Sequence, residues 1–219
     1  IPTSDTTIVF LLDASGSMIE ANKFTITKEI VSDFIKQRKQ DRLGLSIFAD
    51  FAYVAVPLTY DKKSLLGLLK HIEVGIAGKR QTALYEALFL SSKLFEKSKS
   101  KNKIAILLTD GLNNVDTIPL DIAIGKAKKY GIKVYTVGIG HVGDFNPLVL
   151  KQISKETNGK FFQAESFKKL KDIYDTINRL EKSDIKAKSF VKIEYFYQYS
   201  LYLAIWLLFL LILINRRYR

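Results

Sequence analysis

Two stretches of the chain, Thr7 to Asp13 (TIVFLLD) and Lys103 to Thr109 (KIAILLT), are apolar at successive positions where a half-exposed strand would alternate. A strand without alternation is covered on both faces, the condition met in parallel sheets flanked by helices. The rest of the chain supplies such helices. Phe24, Ile26, Ile30, Val31, Phe34 and Ile35 recur at helical spacing, as do Leu65 to Leu69, Ala83 to Phe95 and Ile122 to Tyr130. Asn146-Pro147 opens a further helix that Asn158-Gly159 closes, and Ser166 to Leu180 forms the last one of this kind. Between them lie strand-like segments at Leu43 to Phe48, Phe51 to Leu58, Ile132 to Ile139 and Lys160 to Gln163, with Ala49-Asp50 as a tight connection between the first two. Strands alternating with helices predict an α/β, Rossmann-like, doubly wound and mostly parallel sheet. Such sheets bind ligands beyond the carboxyl ends of their strands, so the loops after the strands are where chemistry is expected.

Two of those loops carry a carboxylate. The first buried strand runs into Asp13-Ala14-Ser15-Gly16-Ser17 and the second into Thr109-Asp110-Gly111. An Asp followed by hydroxyls two and four residues later converges on one point if the chain turns at the glycine. All of these donors are oxygens, the set preferred by Mg²⁺ and accepted by Mn²⁺. Two ionised aspartates brought to one sheet edge without compensation are costly, and a divalent cation between them supplies it. An Asp or Ser helix cap would explain the first motif alone but not both.

The function classes that composition excludes are few but useful. There are no cysteines, which removes thiolate metal sites, thiol nucleophiles and disulfides. A serine nucleophile at Ser15 or Ser17 would need a base, and the two histidines sit in a charged stretch (His71) and a glycine-flanked loop (His141), without the G-x-S-x-G elbow. His141 does fall on the ligand-binding edge, as a rim position. Neither nucleotide-binding glycine motif is present; Gly75, Gly78 and Lys79 do not fit one.

The net charge is +12 and is concentrated at the end of the chain: residues 182–219 hold seven Lys and Arg against two Asp and Glu. Those basic residues flank an uncharged run, Leu201 to Ile214. With the residues from Tyr195 in front, it reaches the ~20 residues that span ~30 Å of hydrocarbon. Tyr195, Tyr197, Tyr199 and Tyr202 read as an interfacial aromatic belt, and Arg216, Arg217 and Arg219 as the stop. The expected organisation is a folded domain at 1–181, a basic juxtamembrane linker at 182–194, a transmembrane helix at 195–215 and a basic tail at 216–219. Basic residues beside an apolar span suit anionic headgroups, and no recognition motif accompanies the Lys-rich stretch 93–103, so nucleic acid is not an expected partner. Positive charge on both sides of the span leaves its orientation open. The first residue is Ile1 and not Met, so the sequence reads as a processed chain or fragment.

With these motifs in view, the sequence resembles the von Willebrand factor A domains. DASGS matches their D-x-S-x-S loop, Thr82 in Gln81-Thr82-Ala83-Leu84 matches the threonine of their second loop, and Asp110 matches the acidic residue of their third. The resemblance runs from about Thr7 to Glu181. It implies a metal-ion-dependent adhesion site in which Ser15, Ser17 and Thr82 contact the ion, while Asp13 and Asp110 bind it or hold its waters. The implied role is a binding module and not an enzyme: a Mg²⁺ or Mn²⁺ ion is offered to a Glu or Asp of a partner protein. The segments Asp41 to Leu45, Pro57 to Thr59, Leu107 to Asn114, Val134 to Gly140 and Arg179 to Lys182, followed by a span, further resemble BatA-type bacterial aerotolerance proteins. That likeness implies an inner-membrane protein with a periplasmic A domain, working with a MoxR-type AAA+ ATPase and sister A-domain membrane proteins. Gln81 stands where many relatives carry glycine. The rival readings are a metal-dependent phosphoester hydrolase that uses Asp13 and Asp110 with a water nucleophile, and a membrane scaffold whose metal site is idle.

Overall fold

The computed structural model describes residues 6–141 and 143–181, with position 206 in addition. Six strands form one sheet: β1 (Thr6–Asp13), β2 (Arg42–Phe48), β3 (Ala52–Thr59), β4 (Asn102–Thr109), β5 (Ile132–Ile139) and β6 (Phe161–Ala164), in the order β3-β2-β1-β4-β5-β6. Every pairing is parallel except β2 with β3, which are antiparallel across the short connection at residues 49–51. The six helices are α1 (Lys23–Gln37), α2 (Lys62–His71), α3 (Leu84–Lys93), α4 (Leu120–Lys129), α5 (Pro147–Glu156) and α6 (Phe167–Leu180).

Why β1 is apolar throughout is visible in its packing. Ile8, Phe10 and Leu12 join Phe34 and Ile35 of α1, Leu65 and Leu69 of α2, and Ile173 and Tyr174 of α6 in the core on one face. Val9 and Leu11 join Leu84 and Leu88 of α3, Ala123 and Ile124 of α4, and Leu150 and Ile153 of α5 on the other. Every residue of β1 is buried, so alternation with polar residues has no place in it. Three helices on each face make the sheet doubly wound, as the sequence pattern predicts.

Within residues 6–181, each strand and helix read from the sequence is present, with ends shifted by up to three residues. One element is additional: a 3-10 helix at Gly16–Asn22 lies between β1 and α1. Its last residues, Ala21 and Asn22, both hold left-handed backbone angles (φ 49° and 56°). Helix α3 also stops at Lys93, two residues short of the expected Phe95. The expected transmembrane helix at 195–215, with the linker and tail around it, lies outside the described residues except for Trp206. Among the described residues no helix is long and apolar enough to cross a membrane.

Strands β1 and β4 are neighbours in register, Leu12 opposite Leu108. Asp13 and Asp110 therefore leave the sheet side by side, at the point where successive connections turn to opposite sides. That is the crevice in which doubly wound sheets take ligands.

Candidate metal centre

Three loops meet at this edge. The first leaves β1 at Asp13, whose Oδ1 accepts a hydrogen bond from the Ser15 amide (2.9 Å). Ser15 precedes the 3-10 helix but makes no side-chain capping bond, so the helix-cap explanation of the motif fails. Its hydroxyl instead lies 3.2 Å from that of Ser17. Gly16 is needed for contact with the second loop: its amide donates to the Lys79 carbonyl (3.1 Å), and a β-carbon there would come within 2.8 Å of that oxygen.

The third loop is tied to the first directly. Ser17 donates to Asp110 Oδ1 (2.6 Å), and Thr109 Oγ1 donates to Asp13 Oδ2 (2.6 Å). Thr82, on the second loop, completes the cluster. A β-carbon built on Gly111 would sit 3.1 Å from Thr82 Oγ1 and 3.8 Å from Asp13 Oδ2, so these two oxygens flank the same point. Asp13, Ser15, Thr82 and Asp110 are buried, while Ser17 is exposed and marks the mouth. All five residues singled out in the sequence thus gather in one place. They comprise two carboxylates and three hydroxyls, and among the described residues no group of three or more His, Cys, Asp or Glu is gathered as a metal cluster.

With that arrangement in hand, comparison with known proteins is informative. Residues 7–176 match the von Willebrand factor type A domain. The chain belongs to this family. A protein of uncharacterised function from Borreliella burgdorferi is 31% identical over 173 residues, which cover 77% of this chain and 48% of the relative. The chain spans about half the length of that curated relative, and less of integrin alpha-X from Mus musculus and of the Escherichia coli protein YfbK. An aerotolerance-related membrane protein from Bacteroides fragilis shares the fold with a TM-score of 0.65 at 21% identity, covering 80% of this chain and 97% of the other. Proximal thread matrix protein 1 from the mussel byssus, solved with a zinc-occupied MIDAS motif, superposes with a TM-score of 0.69 at 24% identity, covering 81% and 46%.

The electrostatics of this A domain suit a cation. Asp13 has no exposed surface, and burial pushes its carboxyl up to about 6 against the opposing hydrogen bonds from Ser15 and Thr109. Protonation or a nearby positive charge relieves that cost. Asp110 has found a positive charge: the Lys23 ammonium lies 2.8 Å from its Oδ2. Burial works against a charged Lys23, but the hydrogen bond and charge of Asp110 outweigh it and hold the ammonium above its usual range. Hard oxygen donors around buried negative charge are what a small divalent cation requires, so the residues present fit the ion.

Sequence reasoning missed three residues that shape the site. The sequence marks Asp50 only as part of a tight connection, yet its Oδ1 accepts from the amides of Arg80 (2.8 Å) and Gln81 (2.7 Å), and its amide donates to the Ala77 carbonyl. It fixes the second loop. Gly78 is obligatory beneath it, with φ at +96° and no room for a β-carbon beside the Asp50 carboxylate. Gln81 lies outside the left-handed region, so no glycine is required there. Asn114 is the second omission: its side-chain oxygen accepts from the Thr82 amide (2.6 Å) and its own amide donates to the Thr82 carbonyl. Lys23 is the third. Both His71 and His141 are exposed and away from the cluster's hydrogen bonds; His71 contacts the Gly67 carbonyl and the His141 amide donates to Asp144.

Proposed function

We propose that this A domain binds Mg²⁺ or Mn²⁺ through Asp13, Ser15, Ser17, Thr82 and Asp110 and thereby recognises a Glu or Asp carboxylate on a partner protein, without catalysis. The observation that carries this reading is the convergence of three loops on one point with oxygen donors alone. When bound, the cation supplies a positive centre with room for an external carboxylate. The chain's own residues do the rest. Ser15 and Thr109 orient the two oxygens of Asp13, Ser17 orients Asp110, and Asp50 and Asn114 hold the backbone that presents Thr82. Neutral hydroxyls in the donor set leave the ion able to attract a further negative ligand.

The membrane assignment rests on the sequence of residues 195–215 and on the fold shared with the aerotolerance-related membrane protein. We read the chain as an inner-membrane protein with its A domain on the periplasmic side, working in a BatA-type system with a MoxR-type ATPase and sister A-domain proteins. Capture from native membranes tests the reading. A partner retained in Mg²⁺ and released both by EDTA and by Ser15→Ala with Ser17→Ala supports it, whereas capture indifferent to both makes the metal idle. Metal-stimulated phosphoester turnover that vanishes in Asp13→Ala would establish the hydrolase reading in its place.

A further inference from the structure

Lys23 deserves a role of its own. It is the first residue of α1, and the two residues before it are bent into left-handed conformations although neither is glycine. For Ala21 in particular that conformation brings Cβ close to the following carbonyl oxygen, and strain of this kind persists where surrounding structure holds it. Directly after this bend the Lys23 side chain reaches the third loop, where the ammonium is mostly covered and meets a fully buried carboxylate. Together with Ser17, it leaves Asp110 with both oxygens engaged.

Beside the ammonium opens a groove of about 470 Å³, lined among others by Glu20, Lys23, Ile139, His141, Asp144 and Phe167. Glu20 and Asp144 both attract the Lys23 charge from this side. The lysine therefore meets one carboxylate directly, Asp110, and feels two more at longer range among the residues that line the groove with it.

We propose that Lys23 is a built-in counter-cation of the metal site: it holds Asp110 when no ion is present and, on metal binding, yields that carboxylate by swinging toward Asp144 and Glu20. The proposal rests on the metal reading above and adds a device to it. The competing internal charge keeps the metal-free site intact and lowers its affinity for the ion. Metal binding then adds a positive charge to the groove beside the ion.

Calorimetric titration of the whole protein with Mg²⁺ and Mn²⁺ tests this. Lys23→Met, which removes the charge and keeps the apolar stem, is expected to tighten binding by on the order of tenfold or more, because repulsion between close cations in a poorly solvated site is lost. It should also lower the metal-free Tm. Lys23→Arg keeps the charge and grips a carboxylate with two donors, so it should bind metal more weakly than wild type, and it serves equally if Lys23→Met fails to fold. Lys36→Met, at an exposed position on the same helix, should leave metal affinity unchanged. Asp144→Asn should weaken metal binding several-fold in wild type and leave Lys23→Met unaffected.

An unchanged or weaker affinity in Lys23→Met, with wild type binding normally, overturns the counter-cation role alone. Equal effects of Asp144→Asn in both backgrounds overturn the swing toward the groove. If wild type and both variants take up no divalent ion, the metal reading falls and this proposal with it.

Discussion

The two ends of the sheet solve the same electrostatic problem in opposite ways. At the carboxyl end, Asp13 and Asp110 are buried at the meeting of three loops, with Ser17 open to solvent and a single lysine as countercharge. At the amino end, Arg38 is buried between α1 and α6. It donates to Asp41 (3.2 Å) and to the carbonyls of Glu181 (2.6 Å) and Asn178 (3.2 Å), leaving only its Nε without a partner. Glu181 in turn accepts from Tyr135 (2.6 Å) and Lys133 (2.9 Å), a bond that together with burial holds the Tyr135 hydroxyl far above its usual range. Charges at the closed end are matched within the protein; at the open end Asp110 has Lys23, while Asp13 is held by hydrogen bonds from the Ser15 amide and Thr109. The contrast separates a region whose buried charges are paired throughout from one that holds Asp13 buried without a cation beside it.

Breaking the closed end should have the largest effect. Arg38→Met removes the donors of a buried and a half-buried carbonyl and a partner of the buried Asp41 carboxylate, so a loss of about 3 kcal/mol is expected in urea unfolding, with Mg²⁺ affinity unchanged in protein that remains folded. Disturbing the open end should do the reverse. The raised Asp13 carboxyl contributes stability that is present below its ordinary value near 4 and is lost as pH rises through about 6. Asp13→Asn carries no such dependence. Relative to wild type, the metal-free variant should therefore gain up to about 3 kcal/mol between pH 4 and pH 7, while losing metal binding altogether; parallel pH profiles would refute this. Ala21→Gly relieves the left-handed strain before α1 and should raise stability by about 1 kcal/mol in the same unfolding measurement. Lys36→Ala, which breaks an exposed pair with Asp33 near the closed end, should cost under about 0.5 kcal/mol.

The sequence revealed most of the fold because its strands are buried on both faces. TIVFLLD and KIAILLT admit little else, and glycine or proline marks several helix ends. Four of the five donors were equally legible, since D-x-S-x-S and T-D-G each follow a buried strand directly, whereas Thr82 stands in no such motif and was legible only through the family resemblance. The 3-10 helix was not legible, because Ala21 and Asn22 take an angle that local sequence would assign to glycine. Lys23 and Asp50 escaped for a different reason. Each acts on residues far along the chain, Lys23 on Asp110 and Asp50 on Arg80 and Gln81, and no local pattern distinguishes them from a surface lysine or a turn aspartate. Sequence periodicity reports what is buried, whereas these contacts depend on which loops the topology brings together.

Helix α6 begins beside the metal edge at Phe167 and ends at Glu181, at the opposite end of the sheet. A load applied between a ligand on the loops and the chain leaving residue 181 is therefore directed along the strands. It meets the parallel pairs β1–β2 and β1–β4 in shear, where many hydrogen bonds must yield together. The pull on α6 is different in kind, since that helix is held at its end by the Arg38 contacts to Asn178 and Glu181 and by the Glu181 side chain. Under tension the first element to come away would be this last helix, while the loops that carry Asp13, Thr82 and Asp110 would stay seated on the sheet.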